Sequence, residues 1–377
     1  MPKRTARINP FRFGALALDD AFTNRAEEIA ELSADMRNGQ DVVVFAPRRY
    51  GKSSLAWRVA QRLVRRRVLV AQVDLMRTPT RERLAEKLAA AIHDDIASPL
   101  LRARERLRVF SELRVAPVVT VDPMDGSVAF SFDAHAARPG IDATLEDLLA
   151  LPGKLAADRD RRVVLILDEF QEVMDIDPGL IRLMRSVFQE QGDVAHLYLG
   201  SKRHMIERIF NDANEPFWRS AKQLELGPID AERFVAFALE RFETTGRRLA
   251  PATAEAALAI TGGHPYATQE LLYFLWEERD LDRALEAVLR SEHAHFSLLW
   301  DRAAAAQRLV LEALANEQPG HPLSTDYQRR HRLPSVATVQ TALRGLDRQD
   351  IVTRLGRGSY VIAEPFLAQW ITRPARS

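Results

Sequence analysis

The chain contains no cysteine in 377 residues. Disulfides and thiolate metal sites are therefore excluded. Lysine is scarce as well. Only six (Lys3, Lys52, Lys87, Lys154, Lys202 and Lys222) stand among 53 basic residues. No apolar run approaches the roughly 18 residues of a membrane span. Met1-Pro2-Lys3-Arg4 is basic but lacks an apolar stretch behind it, so no signal peptide is read and the cytoplasm is the expected location. Nine histidines are scattered, and none pairs with acids at metal-ligand spacing. There is no repeat of solenoid period and no low-complexity tract. A net charge of +1 gives no global argument for a polyanionic partner. With 46% hydrophobic and 28% charged residues, the composition is that of a globular protein of two or three domains.

Against that scarcity, the position of one lysine is informative. The apolar run Val42-Val43-Val44-Phe45 leads into Ala46-Pro47-Arg48-Arg49-Tyr50-Gly51-Lys52-Ser53-Ser54. Leu55, Val59 and Leu63 then recur at helical spacing. Strand, glycine-bearing loop, lysine, hydroxyl and helix make the context of a phosphate-binding loop. Pro47 to Ser54 would form the cradle, with the backbone N–H groups of Arg48 to Ser54 and of the first helical turn facing phosphates. Lys52 would reach the β and γ phosphates of ATP, and Ser53 would ligate Mg²⁺. The pattern G-x-x-x-x-G-K-[ST] is met except that Ala46 stands at its first glycine. Alanine costs little there if φ is negative and more if φ is positive. The bland alternative is a Gly-Lys-Ser turn capping an ordinary helix.

A second motif lies 116 residues beyond Lys52. Val163-Val164-Leu165-Ile166-Leu167-Asp168-Glu169 is an apolar run ending in two carboxylates. Such a run reads as a central parallel strand, buried on both faces. Its C-terminal end is where open α/β sheets bind ligands. Asp168 would hold Mg²⁺ through water, and Glu169 is placed to orient or deprotonate the attacking water. The plain alternative for Glu169 is a solvated residue opening a loop.

The remaining pattern predicts three regions. Residues 1–228 form an ATPase core, with further parallel strands at Val68–Asp74, Ala195–Ser201 and Lys222–Leu226 and a helix from Arg81 to about Phe110. A β-hairpin with an Asp125-Gly126 turn is inserted near 112–140. Residues 229–300 are helix-rich, interrupted by Gly262-Gly263-His264-Pro265. Residues 301–377 have a winged-helix layout of three helices and a hairpin wing around Gly356-Arg357-Gly358. This last region carries 11 Arg and no Lys against 7 Asp plus Glu, a local excess of +4.

Together the two motifs resemble those of the archaeal-type branch of the STAND ATPases, within the AAA+-like P-loop NTPases. Pro47-Arg48-Arg49-x-Gly51-Lys52-Ser53-Ser54-Leu55 resembles that family's phosphate loop, and Leu167-Asp168-Glu169-Phe170-Gln171 its Walker B strand. Asn9-Pro10-Phe11 with Phe22-x-Asn24-Arg25-x-x-Glu28 resembles its adenine-contacting N-terminal segment. Gly200-Ser201 followed by Met205 resembles its sensor-1 strand, and Gly262-Gly263-His264-Pro265 its lid motif. Glu364-Pro365-Phe366-x-x-x-Trp370 resembles the tail of its winged helix. The resemblance implies a five-stranded parallel core, a helical lid and a C-terminal winged helix. It implies adenine contacts from Asn24, Arg25, His264 and Pro265. It also implies a nucleotide-dependent switch.

Several residues keep two readings. Ser201 is a sensor of the γ-phosphate or a strand-end cap. Arg219, just before the last strand, is an arginine finger or a surface residue. Arg48 and Arg49 face nucleotide, a neighbouring subunit or core carboxylates. Arg344 and Arg348 on the third winged-helix helix, with Arg354 and Arg357 on the wing, suit double-stranded DNA. The same module also suits a protein partner. The expected function is an ATP-hydrolysing switch, with a nucleotide-dependent homo-oligomer as one form. The alternative is a DNA-binding regulator that holds ATP as a ligand with little turnover.

Overall fold

The computed structural model describes residues 8–14, 25–76, 78–97, 105, 110, 113–114, 117–122, 124, 127–132, 138–158 and 160–373. Phe22, Asn24 and the Asp125-Gly126 turn lie outside these. By packing, the chain divides into two compact units. One holds Arg25–Ala46 and Lys52–Leu226. The other holds Pro47–Gly51 and Gly227–Ser377, with the described residues 8–14.

The first unit is built on five strands: β1 (Val42–Phe45), β2 (Leu69–Asp74), β5 (Val163–Asp168), β6 (Val194–Gly200) and β7 (Lys222–Glu225), with the hairpin strands β3 (Val118–Val121) and β4 (Val128–Ser131) between β2 and β5 in sequence. The sheet order is β2-β5-β6-β1-β7, all parallel. Every residue of β1, β5 and β6 is buried. This is why these strands read as unbroken apolar runs rather than as alternations. Edge strand β7 is mostly exposed and correspondingly polar. Parallel pairing sets Asp74 beside Asp168 at one end of the sheet. Crossover helices cover the faces. Lys52–Val64 buries Leu55, Ala56, Val59 and Leu63, one stripe at helical period.

One prediction for this unit differs in detail. The helix expected from Arg81 ends as α-helix at Ala91 and continues as wider π turns over Ile92–Ala97, which keep Ile92, Ile96 and Ala97 in the core. The insertion does form an antiparallel hairpin, pairing Val118 with Ser131 and Val121 with Val128. Phe130 is its buried anchor, packed on Phe110.

The second unit is helical apart from one hairpin. Ala231–Thr244, Pro251–Thr261, Pro265–Glu278 and Leu281–Arg302 are followed by Ala305–Asn316, Thr325–Arg330 and Val336–Arg348. Strands β8 (Val352–Gly356) and β9 (Ser359–Ile362) form the wing, and Pro365–Thr372 closes the unit. One apolar core runs through it, from Phe11, Phe234 and Phe237 to Phe296, Phe366 and Trp370. Helix starts are capped as their sequences suggest. Asp230, Asp280, Ser324 and Ser335 each accept a backbone N–H of the first turn. Among the described residues, no helix is long and apolar enough to cross a membrane.

Candidate nucleotide site

In the sheet unit the site grows from the ends of β1, β5 and β6. Ala46 follows β1 directly and its N–H donates to the Gly200 carbonyl at 3.3 Å. It is not among the residues with positive φ, so alanine fits the first position of the loop pattern without backbone strain. Lys52, 5% exposed, donates Nζ to the Ala46 carbonyl at 2.9 Å. Ser53 Oγ donates to Asp168 Oδ2 at 2.8 Å, and Asp168 Oδ1 accepts the Glu169 N–H at 3.0 Å. Burial raises the Asp168 carboxyl above its ordinary range, and the nearby charges of Glu169 and Asp74 add to this. The Ser53 hydrogen bond opposes it.

A hydroxyl, a buried carboxylate short of positive charge and a lysine, at the start of a 13-residue helix with no acid in its first turn, fit an anion with a divalent cation. Among the described residues, no three His, Cys, Asp or Glu converge as a metal group. Two protein ligands are what Mg²⁺ ordinarily uses when phosphates supply others.

Glu169 has φ 52° and ψ 48°, a left-handed conformation that costs a non-glycine residue on the order of 1 kcal/mol. Its Oε2 accepts Ser201 Oγ at 2.6 Å and Gln171 Nε2 at 2.5 Å. Ser201 and Glu169 are thus brought together. Gln171 was quoted in the Walker B run but given no role; only its buried position marks it. Arg25 is buried, at φ 69°, and pairs with Glu28 at 2.9 Å. Ser54 is buried beside Lys52 in sequence.

Arg219 is exposed, at φ 53°, and its guanidinium lies 5.1 Å from the Trp218 ring. It precedes β7, whose Lys222 pairs with Val42 at the start of β1. Asp168 and Glu169 follow the other ends of the strands. Four residues of strand span about 13 Å. Arg219 therefore lies towards the starts of the strands, and Glu169 beyond the end of β5.

The residues of the loop's tip belong to the other unit. Gly51 has φ +83°, which only glycine takes without strain. Arg48 is exposed. Arg49, at φ 65°, sets its guanidinium 4.5 Å from the centre of the Tyr266 ring and Nη1 3.3 Å from Glu364 Oε2. Of the three destinations open to Arg49, this contact favours carboxylates. Tyr50 meets His264 edge to face, with ring centres 4.6 Å apart. His264 caps the Pro265–Glu278 helix by accepting the Ala267 N–H at Nδ1, 3.3 Å. Accepting there needs an unprotonated nitrogen. Burial, then the Arg49 charge, push the imidazole down to about 4. Pro265 opens the helix at its first position, where no N–H is needed.

Sequence reasoning missed Glu270. It is 1% exposed, and neither carboxylate oxygen has a hydrogen-bond partner. Burial first, then the charges of Glu292 and Glu364, push it up to about 8, against the opposing effect of Arg49. Glu364 is pushed up to about 6, mainly by burial. The arginines proposed for DNA are all exposed. Arg344 leans on its own helix, with Nη2 3.3 Å from Thr341 Oγ1. Arg354 Nε donates to the Gly356 carbonyl at 3.0 Å. Arg348 ends the third helix, and Arg357 sits in the wing turn between β8 and β9.

The Glu270 geometry gives a pH dependence of stability. Folding raises this carboxyl from 4.5 to about 8, so the folded chain holds the proton more tightly than the unfolded one. That contribution is full below pH 4.5 and is lost as pH rises towards about 8. Glu364 acts in the same direction over a narrower range. Glu270→Gln is neutral at every pH. It is expected to melt above wild type near ~pH 9 and to close most of the wild-type gap in melting temperature between ~pH 5 and ~pH 9. Equal slopes of melting temperature against pH in both proteins would refute the assignment.

A family model described as "ATPase domain predominantly from Archaea" matches residues 22–271. A second, described as "Probable winged helix domain", matches residues 294–373. No curated protein matches the sequence. Among solved structures, the Walker-type ATPase PABY2304 of Pyrococcus abyssi superposes with a TM-score of 0.65 at 18% identity, over 94% of this chain and 97% of that one. The Aeropyrum pernix ORC2 protein in its ADP form gives 0.49 at 14% identity, covering 94% and 98%. The Aeropyrum pernix ORC1 protein in complex with DNA gives 0.48 at 16%, covering 94% and 93%. At these identities the likeness is one of fold, and the P. abyssi protein carries it. With well over half of its residues matched by the first model, and with the loop, the Walker B strand and the parallel sheet in place, this chain belongs to the family of ATPase domains predominantly from Archaea, here joined to a C-terminal winged helix domain.

Proposed function

We propose that the protein binds ATP with Mg²⁺, hydrolyses it, and uses its nucleotide state to reposition the winged helix. One observation carries the switch. Residues Pro47–Gly51 of the phosphate loop pack with the lid and winged helix, and Arg49 is held by Glu364 of the winged helix. Any phosphate that draws on Arg49 competes with that carboxylate. Nucleotide and winged helix are then linked through one guanidinium.

Each residue has a task in this reading. Lys52 supplies positive charge to the β and γ phosphates, and Ser53 with Asp168 holds the metal. A divalent cation held by Ser53 and Asp168 would supply positive charge to the phosphates. Glu169 takes one proton from water as the water oxygen bonds to the γ-phosphorus. The bond from that phosphorus to the bridging oxygen breaks, and its electron pair leaves with ADP. Ser201 holds the Glu169 carboxylate. His264 stays neutral and keeps the lid helix started, with Tyr50 against it. Asn24, Arg25, His264 and Pro265 remain the proposed adenine contacts.

Lys52→Ala is expected to remove most ATP binding in titration calorimetry. Glu169→Gln should bind ATP as wild type does and hydrolyse it about 10²–10⁴-fold more slowly, the usual share of a general base. Hydrogen exchange over residues 336–372 should change on adding ATP to wild type and not to Lys52→Ala. Undiminished ATP affinity in Lys52→Ala would end the phosphate-loop assignment, and wild-type exchange indifferent to ATP would end the switch.

For a homo-oligomer, we propose that Arg219 serves a neighbour's site, because it lies towards the starts of the strands and Glu169 beyond the end of β5. Specific activity should then rise with protein concentration. Arg219→Ala should lower turnover while leaving ATP affinity within about twofold. Turnover independent of concentration, with Arg219→Ala active, would leave Arg219 as a surface residue.

A second reading, a DNA-binding regulator with slow turnover, is favoured by one feature. Exposed Arg344 and Arg348 follow one helix face, with Arg354 and Arg357 on the adjoining wing. Binding of the full chain to duplex DNA should weaken with salt at a log–log slope near ~0.9 per phosphate contacted. Arg357→Ala should reduce the slope by about one. Absence of any low-salt binding, with and without ATP, would turn the winged helix to a protein partner.

A further inference from the structure

Gln171 lies two residues after Glu169, in the short 3₁₀ turn Phe170–Glu172. It is 0% exposed. Burying an amide is costly unless its groups are satisfied. Here Oε1 is buried without a partner. A leucine or methionine would fill similar space without that penalty. The reason for an amide must lie at its other end. Nε2 sits 2.5 Å from Glu169 Oε2, 3.4 Å from Glu172 Oε1 and 3.5 Å from Ser201 Oγ. An ionised carboxylate can only accept, so the nitrogen is the end that must face Glu169.

The surroundings leave room for this arrangement. A Cβ on Gly200 would stand 3.1 Å from Gln171 Oε1 and 2.3 Å from Ile206 Cγ1, so the end of β6 carries no side chain there. Gln171 and Ser201 come from different elements, the turn after β5 and the residue after β6. They converge on the same oxygen of Glu169. Two charge-assisted donors on one oxygen fix the carboxylate plane and hold a side chain whose own backbone is left-handed. Glu169 Oε1 accepts no hydrogen bond among the described residues.

We infer that Gln171 is a positioning residue: with Ser201 it clamps Glu169 Oε2, so that Oε1 is the oxygen presented to the attacking water. The inference rests on the reading of Glu169 as the catalytic base. Gln171 touches no reacting atom and acts through Glu169 alone.

The test is ATP turnover, with ATP binding and melting temperature, for wild type, Gln171→Met and Gln171→Asn. Methionine keeps the volume and loses the donor. Asparagine keeps an amide that is one methylene too short, and serves if the methionine variant does not fold. For a folded variant, kcat should fall about tenfold or more, with KM and Kd for ATP within about twofold. Ser201→Ala should lower kcat in the same way, and the double variant should lose less than the product of the single losses. Unchanged kcat, or a fall in kcat matched by an equal weakening of KM and Kd for ATP, would overturn the positioning role alone. Wild type that binds ATP and does not turn it over would overturn the underlying reading, and this inference with it. That outcome is seen before any substitution is made.

Discussion

A carboxylate taken out of water needs a donor, a cation or a proton, and the sheet unit is organised around that need. Strand β5 is buried along its whole length and delivers Asp168 at its end, where water is largely excluded. Ser53 answers part of the demand with a hydroxyl, and the remainder is what a divalent cation would supply. One residue later the same demand is met by donors alone, since Ser201 and Gln171 share one oxygen of Glu169. Two neighbouring acids thus acquire different environments. The helical half repeats the problem with a third solution. Glu270 has no donor, lies among Glu292, Glu364 and Arg49, and keeps its proton to near-neutral pH.

The phosphate loop connects these two halves chemically. Lys52 and Ser53 open a helix of the sheet unit, while Arg49 and Tyr50, two and three residues earlier, answer to Glu364, Tyr266 and His264. Every residue from Pro47 to Ser54 was read as a nucleotide contact. Arg49 and Tyr50 are instead seen attached to side chains of the second unit.

The parts of this architecture that were legible in the sequence are those written in contiguous residues. β1, β5 and β6 are visible because burial on both faces leaves no polar positions to blur them. The loop and the Walker B acids announce themselves by spacing. What was not legible depends on partners far away in the chain. Arg49 and Glu364 are separated by 315 positions, and nothing local pairs them. Glu270 was hidden for a different reason. Residues Ala267 to Leu272 of its helix are all buried, so the alternation that normally sorts inward from outward positions is absent there. Gln171 stood in a quoted motif, but only its neighbour's bonds reveal which end of the amide matters. Ala46 departed from the glycine pattern harmlessly, because its φ is not positive.

The packing of Pro47–Gly51 with Gly227–Ser377 has a consequence for how this protein can be dissected. A fragment ending at residue 226 would retain Lys52, Ser53, Asp168 and Glu169, the groups by which such ATPases are usually defined. It would lose the partners of Arg49 and Tyr50. The ordering of the loop would then fall to nucleotide alone, and the entropy of fixing it would be charged against affinity.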